Sequence, residues 1–203
     1  MKKNQLPTMA KLNLTIDLDK LRKSMDELTS QFVDVKTANP GLCMNHEELV
    51  KDVYDNFEQI NLTTASEILP HTASIKERLK RREEHLYNVP TVEYSGSYFE
   101  EIVSQCKATA SRIRITKLAA GKTIPFHVDY DVSYAVRCIV PIYGGGNVIN
   151  LFKRDDKLEA YSLEDGTANF LNIGYPHAVV NMSDRPRIAL MFSLDGTDDI
   201  TDL

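Results

Sequence analysis

The apolar positions of the chain follow one period up to about residue 110 and another beyond it. In DLDKLRKSMDELTSQF (17–32), Leu18, Leu21, Met25, Leu28 and Phe32 recur at spacings of three and four, the stripe of an amphipathic helix. NHEELVKDVYDNFEQI (45–60) repeats the spacing with Leu49, Val53, Phe57 and Ile60, and Asn45 is placed to cap it. TANPGLC breaks the chain between the two. SIKERLKRREEHLYN (74–88) and SYFEEIVSQCKATA (97–110) predict a third and a fourth helix. The third holds a basic run, Lys76, Arg78, Lys80, Arg81 and Arg82, interleaved with Glu77, Glu83 and Glu84. A solvated helix face is the plain expectation for such a run; a substrate-facing or nucleic-acid role is the alternative.

Beyond residue 110 the period becomes two. SRIRITKL, IPFHVDYD, YAVRCIVPIY, NVINLFK, LEAYSL, ANFLNI, HAVVNM and RIALMFSL are short and rich in β-branched and aromatic residues, with AAGK, YGGGN, RDDK, EDGT and SDRP as turns between them. Short strands at such regular spacing predict a sandwich or barrel, and a jelly roll suits their number. The expected class is α+β. A mainly helical region, 1–110, packs on a cupin-like double-stranded β-helix, 111–196, with an acidic tail at 197–203, the whole forming a single integrated domain.

Composition narrows the function. The chain has 203 residues, enough for one sizeable core, and a net charge of −5 that demands neither nucleic acid nor an anionic membrane as partner. Cys43, Cys106 and Cys138 form no C-x-x-C pair, which fits reduced thiols better than a disulfide framework. The opening MKKNQLPTMAKLNLTID lacks the apolar core of a signal peptide, and no window approaches the roughly 20 apolar residues of a spanning helix. The expectation is a soluble, cytoplasmic protein of unspecified oligomeric state.

IPFHVDYD breaks the apolar pattern in an instructive way. Period-two geometry puts His127 and Asp129 on one face of a strand, where both are costly to bury. An isolated H-x-D is weak evidence, since a strand histidine is often only a hydrogen-bonded core residue. His177, fifty residues on in a second β run, supplies a third donor. Two imidazoles and one carboxylate make the facial triad of non-haem Fe(II) oxygen chemistry. Arg187 lies ten residues after His177, in an apolar strand expected to be adjacent to that of His177 across the MSDRP turn. A buried guanidinium needs a carboxylate partner, and the distal carboxylate of 2-oxoglutarate, chelated to iron at its other end, would provide one.

HVD, then His177, then Arg187 in HAVVNMSDRPRIAL resembles the Fe(II)/2-oxoglutarate dioxygenases of the aspartyl/asparaginyl β-hydroxylase family, most closely its soluble branch, which includes proline cis-hydroxylases. The likeness runs from about Tyr94 to Asp195. It implies iron on His127, Asp129 and His177, 2-oxoglutarate on Arg187, and O2 as oxidant. Turnover would hydroxylate a small amino-acid-like molecule, such as free proline, and release succinate and CO2. Family members carry an arginine near the position of Arg137, which implies a second contact to cosubstrate or substrate; the alternation before it leaves a surface ion pair equally open. Membrane-anchored peptide hydroxylases of the family lack the carboxylate ligand that Asp129 supplies here, so a short-peptide (aspartyl, asparaginyl or prolyl) substrate ranks second. Arg112 and Arg114 share a strand face and are expected to pair outward. Asp131 and Tyr134 are expected at a rim. Gly144, Gly145 and Gly146 make a turn, and His46, His71 and His85 are read as structural. Two other classes compete with the enzyme: a non-catalytic cupin-like metal-binding module, and a hydrolytic or isomerising metal cupin. Neither needs a buried Arg187.

Overall fold

The computed structural model describes residues 6–38, 56–70 and 72–200. In chain order the elements are β1 (Met9–Lys11), α1 (Leu18–Asp26), β2 (Val33–Asp34), α2 (Val35–Ala38), β3 (Phe57–Asn61), β4 (Thr63–Thr64), α3 (Ile75–Lys80), α4 (Glu83–Leu86), β5 (Val89–Pro90) and α5 (Tyr98–Val103). They continue as β6 (Ala110–Leu118), β7 (Thr123–His127), β8 (Val136–Tyr143), β9 (Val148–Arg154), β10 (Lys157–Ser162), β11 (Asn169–Leu171), β12 (His177–Asn181) and β13 (Arg187–Leu194).

The last eight strands form a double-stranded β-helix. A major sheet runs β1-β11-β8-β13-β6-β3-β2 and a minor sheet runs β10-β9-β12-β7, so successive strands from β6 onward are shared between the two sheets. Period-two alternation then divides the side chains between two cores. On β13, Ile188, Leu190, Phe192 and Leu194 join the larger core with Val136, Cys138, Val140 and Ile142 of β8. Leu21 and Met25 of α1 and Phe99 and Ile102 of α5 close that core from the helical side. The opposite faces of the same strands, with Ile139 and Ala189, meet Phe152, Leu171 and Ile173 in a second core.

The helices are shorter than the apolar stripes predict. Asp17 caps α1, its carboxylate accepting from the Asp19 and Lys20 amides, but the helix ends at Asp26, and Thr29–Gln31 form a 3-10 turn. Leu28 and Phe32 still pack on the core as expected. The predicted third helix divides at Arg82, whose φ of 52° is left-handed. Ser74 and Glu77 form a capping box at the start of α3. Lys76, Lys80, Arg81 and Arg82 are exposed, as a solvated face requires, while Arg78 is buried against the Glu83 carboxylate.

Of the predicted helix over 45–60, residues 45–55 lie outside the described residues. Phe57–Asn61 form β3, not a helix end, and pair antiparallel with β6 from Phe57↔Leu118 to Asn61↔Arg114. The free edge of β6 supplies a ladder of hydrogen-bonding groups that a local helix cannot use. Among the described residues before 111, strands and helices are therefore mixed: β1, β2 and β3 extend the major sheet on both sides. The acidic end is not a free tail throughout. Asp199 is buried and accepts from the Lys107 and Ala108 amides at 2.8 and 3.0 Å, and Ile200 joins the core. Cys106 and Cys138 are free thiols. Among the described residues no helix is long and apolar enough to cross a membrane.

Candidate metal centre and cosubstrate pocket

The jelly roll encloses a cavity of about 330 Å³ between its sheets. His127, at the end of β7, and His177, at the start of β12, are direct cross-strand partners, with ring centroids 4.2 Å apart. Asp129 follows in the segment just after β7. Its amide donates to the Ile173 carbonyl at 3.0 Å, which ties that segment to the loop leading into β12. Gly174 permits this approach, because a Cβ there would stand 3.2 Å from the Tyr130 carbonyl oxygen. The His127 Nε2 to Asp129 Oδ1 distance is 3.8 Å, and one donor atom from each of His127, Asp129 and His177 lies within 4.8 Å of the others.

Hydrogen bonding orients both imidazoles alike. His127 Nδ1 is 2.8 Å from the Pro125 carbonyl and His177 Nδ1 is 3.0 Å from the Tyr175 carbonyl. A carbonyl only accepts, so each Nδ1 carries the proton and each Nε2 lone pair is left for a metal. Burial and the neighbouring His127 push the His177 pKa down to about 4, which keeps it in the neutral form that a ligand requires. Phe152 stacks at 5.8 Å on His177. His127 and Asp129 are more open, at 37% and 39% side-chain exposure, so the three donors face the cavity from one wall with one side accessible. The donor set fits Fe(II) held by a facial triad.

Arg187 faces this group from the opposite sheet. The sequence expectation placed it on a strand adjacent to that of His177. Instead β12 pairs with β7 and β9 in the minor sheet, while β13 pairs with β6 and β8 in the major one. The MSDRP turn crosses between layers, so Arg187 looks at the triad across the cavity. It is 3% exposed and its Nε has no hydrogen-bond partner. Among the described residues no ion pair involves it. Burial pulls its pKa down to about 10, so it stays cationic at neutral pH. A buried cation without a counter-ion is costly, and a carboxylate entering the cavity would relieve that cost. The pocket therefore fits 2-oxoglutarate as well as the triad fits iron.

Arg137 points inward, sharing its strand face with Ile139, and lines the same cavity. Its partner is not at the surface: Nη2 donates to Glu84 Oε1 at 2.8 Å. Arg112 and Arg114 correct the outward expectation, since both line the cavity. Arg114 pairs with Met191, which also lines the cavity, so strand alternation turns it inward, and a β-bulge follows it. Met191 pairs with Arg114 but Ser193 pairs with Ser111, so β6 holds one residue more than β13 across that interval, and Arg112 takes a left-handed φ of 48°. Arg112 Nη1 donates to Glu84 Oε2 at 2.5 Å, and the Ser193 hydroxyl donates to Glu84 Oε1 at 2.8 Å. Glu84, read from sequence as part of a solvated face, is fully buried. Burial alone would raise its pKa, but Arg112, Arg137 and Arg114 together hold the carboxyl well below its ordinary value. The available signal was indirect: guanidiniums in apolar strands demand a buried anion, but nothing local identifies which acid provides it.

The remaining candidates take ordinary places. Tyr134 packs beside Tyr130, ring centroids 4.6 Å apart. The His85 ring contacts the Tyr134 carbonyl at 2.7 Å. His46 and His71 lie outside the described residues.

No curated protein matches the chain. Among solved structures, an oxidoreductase of the 2OG-Fe(II) oxygenase family from Burkholderia pseudomallei is similar at 13% identity, covering 92% of this chain and 96% of that one with a TM-score of 0.41. A cupin domain from Bordetella pertussis is similar at 17% identity over 45% of this chain and 88% of that one, TM-score 0.34. Vicilin from Corylus avellana is similar at 16% identity over 42% of this chain, TM-score 0.34, and the chain spans only 24% of vicilin's length. The family model described as aspartyl/asparaginyl beta-hydroxylase matches residues 47–196, and the chain belongs to that family.

Proposed function

We propose that the protein is an Fe(II)- and 2-oxoglutarate-dependent dioxygenase that hydroxylates a small amino-acid-like substrate, free proline being one such molecule, with release of succinate and CO2. One observation supports this reading above all others: a His127–Asp129–His177 donor set on one wall of a cavity opposes, on the other, a buried Arg187 with no carboxylate partner among the described residues. A metal-binding cupin module has no use for that arginine and would bear the cost of burying it.

His127 and His177 would hold iron through Nε2 and Asp129 through a carboxylate oxygen. Bound there with 2-oxoglutarate, the iron supplies oxidative decarboxylation of the cosubstrate and oxygen insertion into an unactivated C–H bond. The chain's own part is orientation and exclusion of water. The Pro125 and Tyr175 carbonyls fix the imidazole tautomers. Arg187 receives the far carboxylate of the cosubstrate and so sets which end faces the metal. Phe152 and Ile173 keep that wall of the cavity apolar.

Anaerobic addition of Fe(II) and then 2-oxoglutarate tests the reading through the visible absorption band of the chelate. Wild type should develop the band and Asp129→Ala should not, while circular dichroism remains that of the folded protein. Absence of the band in wild type, or full turnover in Asp129→Ala, would refute the assignment. Succinate release across a panel of free amino acids and short peptides then separates the small-molecule substrate from the peptidyl one.

A further inference from the structure

Among the described residues that line the cavity, Met191 alone carries sulfur. It sits on β13 opposite Arg114 of β6 and Ile139 of β8 and is half-buried. Two guanidiniums reach its sulfur: Arg114 Nη2 and Arg137 Nη1 each stand 3.3 Å from Sδ. Both arginines are buried, at 7% and 6% exposure. A thioether is a weak acceptor, so two buried cations are aimed at a group that gives little in return.

One added oxygen changes that balance. Oxidation turns the apolar thioether into a polar sulfoxide, and its oxygen is a far stronger acceptor than the sulfur was. In an ordinary core such a group disrupts packing because nothing there donates to it. Here two charged donors already converge on the sulfur, and hydrogen bonds from ionised donors are the strong ones. The methionine chain is unbranched and can adjust to let the oxygen meet both. His127, Asp129 and His177 line the same cavity, so the sulfur shares a closed space with the site at which O2 would be used.

We propose that Met191 is a modification site: when the protein turns over without substrate, its sulfur accepts the oxygen atom, and Arg114 and Arg137 hold the resulting sulfoxide. This rests on the dioxygenase reading, which supplies the oxidant. The sulfur lone pair forms an S–O bond to one atom of O2, and the other atom enters the new carboxylate of succinate. The O–O bond and the C1–C2 bond of 2-oxoglutarate break, CO2 leaves, and no proton is gained or lost. Sulfur and 2-oxoglutarate each give up two electrons, which together reduce O2 fully. Sulfoxide reductases reverse the change.

The full chain, loaded with Fe(II) and 2-oxoglutarate, is exposed to isotopically heavy O2 without substrate, with catalase present to remove peroxide. Trypsin then releases residues 188–203, in which Met191 is the sole methionine, and residues 158–187, in which Met182 is. Met182 is 66% exposed, so an oxidant free in solution reaches it first. Mass spectrometry should show one heavy oxygen on 188–203, none on 158–187, and none on either peptide from Asp129→Ala. The oxidised protein should keep or raise its urea midpoint, because the new oxygen is held by both arginines. Equal oxidation of the two peptides, oxidation of Met191 that persists in Asp129→Ala, or a lower midpoint overturns the proposal. A chelate band and succinate release with 188–203 unmodified, or a band with no succinate released, overturns it while leaving the dioxygenase reading in place. Absence of the band in wild type removes that reading, and with it the oxidant that this modification needs.

Discussion

Arg187 and Glu84 are each buried and charged, yet they are opposites in their surroundings. Among the described residues Arg187 has no counter-ion, and a ligand carboxylate would account for its burial. Removing it should leave the fold intact and weaken 2-oxoglutarate binding. Arg187→Ala is expected to raise the apparent 2-oxoglutarate requirement by roughly ten- to a hundredfold, from the 1.5–3 kcal/mol of a charge-assisted hydrogen bond. Arg187→Lys should recover part of that loss, keeping the charge without the fork. The measurement is anaerobic titration of the Fe(II) protein at the chelate band, with iron affinity unchanged as the control. Glu84 has three cationic neighbours, and its loss is structural. Glu84→Gln leaves three buried guanidiniums facing a neutral amide, and should destabilise the protein by about 3–5 kcal/mol. Urea denaturation reads that directly.

At the level of elements, α1 shows how a helix can be predicted from its stripe and still end early. Asp17 caps it and Leu21 and Met25 are fully buried against β8 and α5. The Thr and Ser beyond Asp26 compete for backbone hydrogen bonds, as Thr29 Oγ1 does by donating to the Asp26 carbonyl. Leu21→Ala should cost about 2–5 kcal/mol, the range for emptying a well-packed site, whereas Leu28→Ala, on a partly exposed position past the helix end, should cost less. Comparison of urea midpoints checks the order. The break at Arg82 has a different purpose. A continuous helix through residue 88 would keep Glu84 on a face chosen by the 3.6 period; the left-handed residue releases α4 to turn Glu84 into the arginine cluster.

The whole molecule depends on parts far apart in the chain. β1, β3 and Glu84 all come from the first half and all complete structure built by the second. Deleting residues 1–90 removes two edges of the major sheet and the counter-ion of three buried arginines. The remainder should fail to fold, seen as loss of a cooperative unfolding transition. Acid sensitivity follows from the same cluster. Because the Glu84 carboxyl titrates below its ordinary value of 4.5 in the folded state, its stabilising contribution is fully present above about pH 4.5 and is lost as pH falls below it. Stability measured by urea denaturation should therefore drop between about pH 5 and pH 3, and drop less steeply in Glu84→Gln.

What could be read from the sequence alone was what depends on neighbours along the chain. Period-two runs and their turn residues specify the strands of the jelly roll, and β13 spans the RIALMFSL run without a residue's difference. His127, Asp129, His177 and Arg187 stood out because polar residues in apolar strands need a chemical reason. The tertiary structure alone decided which layer each strand joins. It sent β12 and β13 to opposite sheets, so that Arg187 faces the triad rather than flanking it. It made a strand of Phe57–Asn61 because β6 offered an open edge. It chose Glu84 from among several acids as the partner of Arg112 and Arg137. These outcomes are pairings between residues tens of positions apart, 53 in the case of Glu84 and Arg137. A local pattern shows that a buried charge needs a partner, but only the closed fold brings a particular partner within 3 Å.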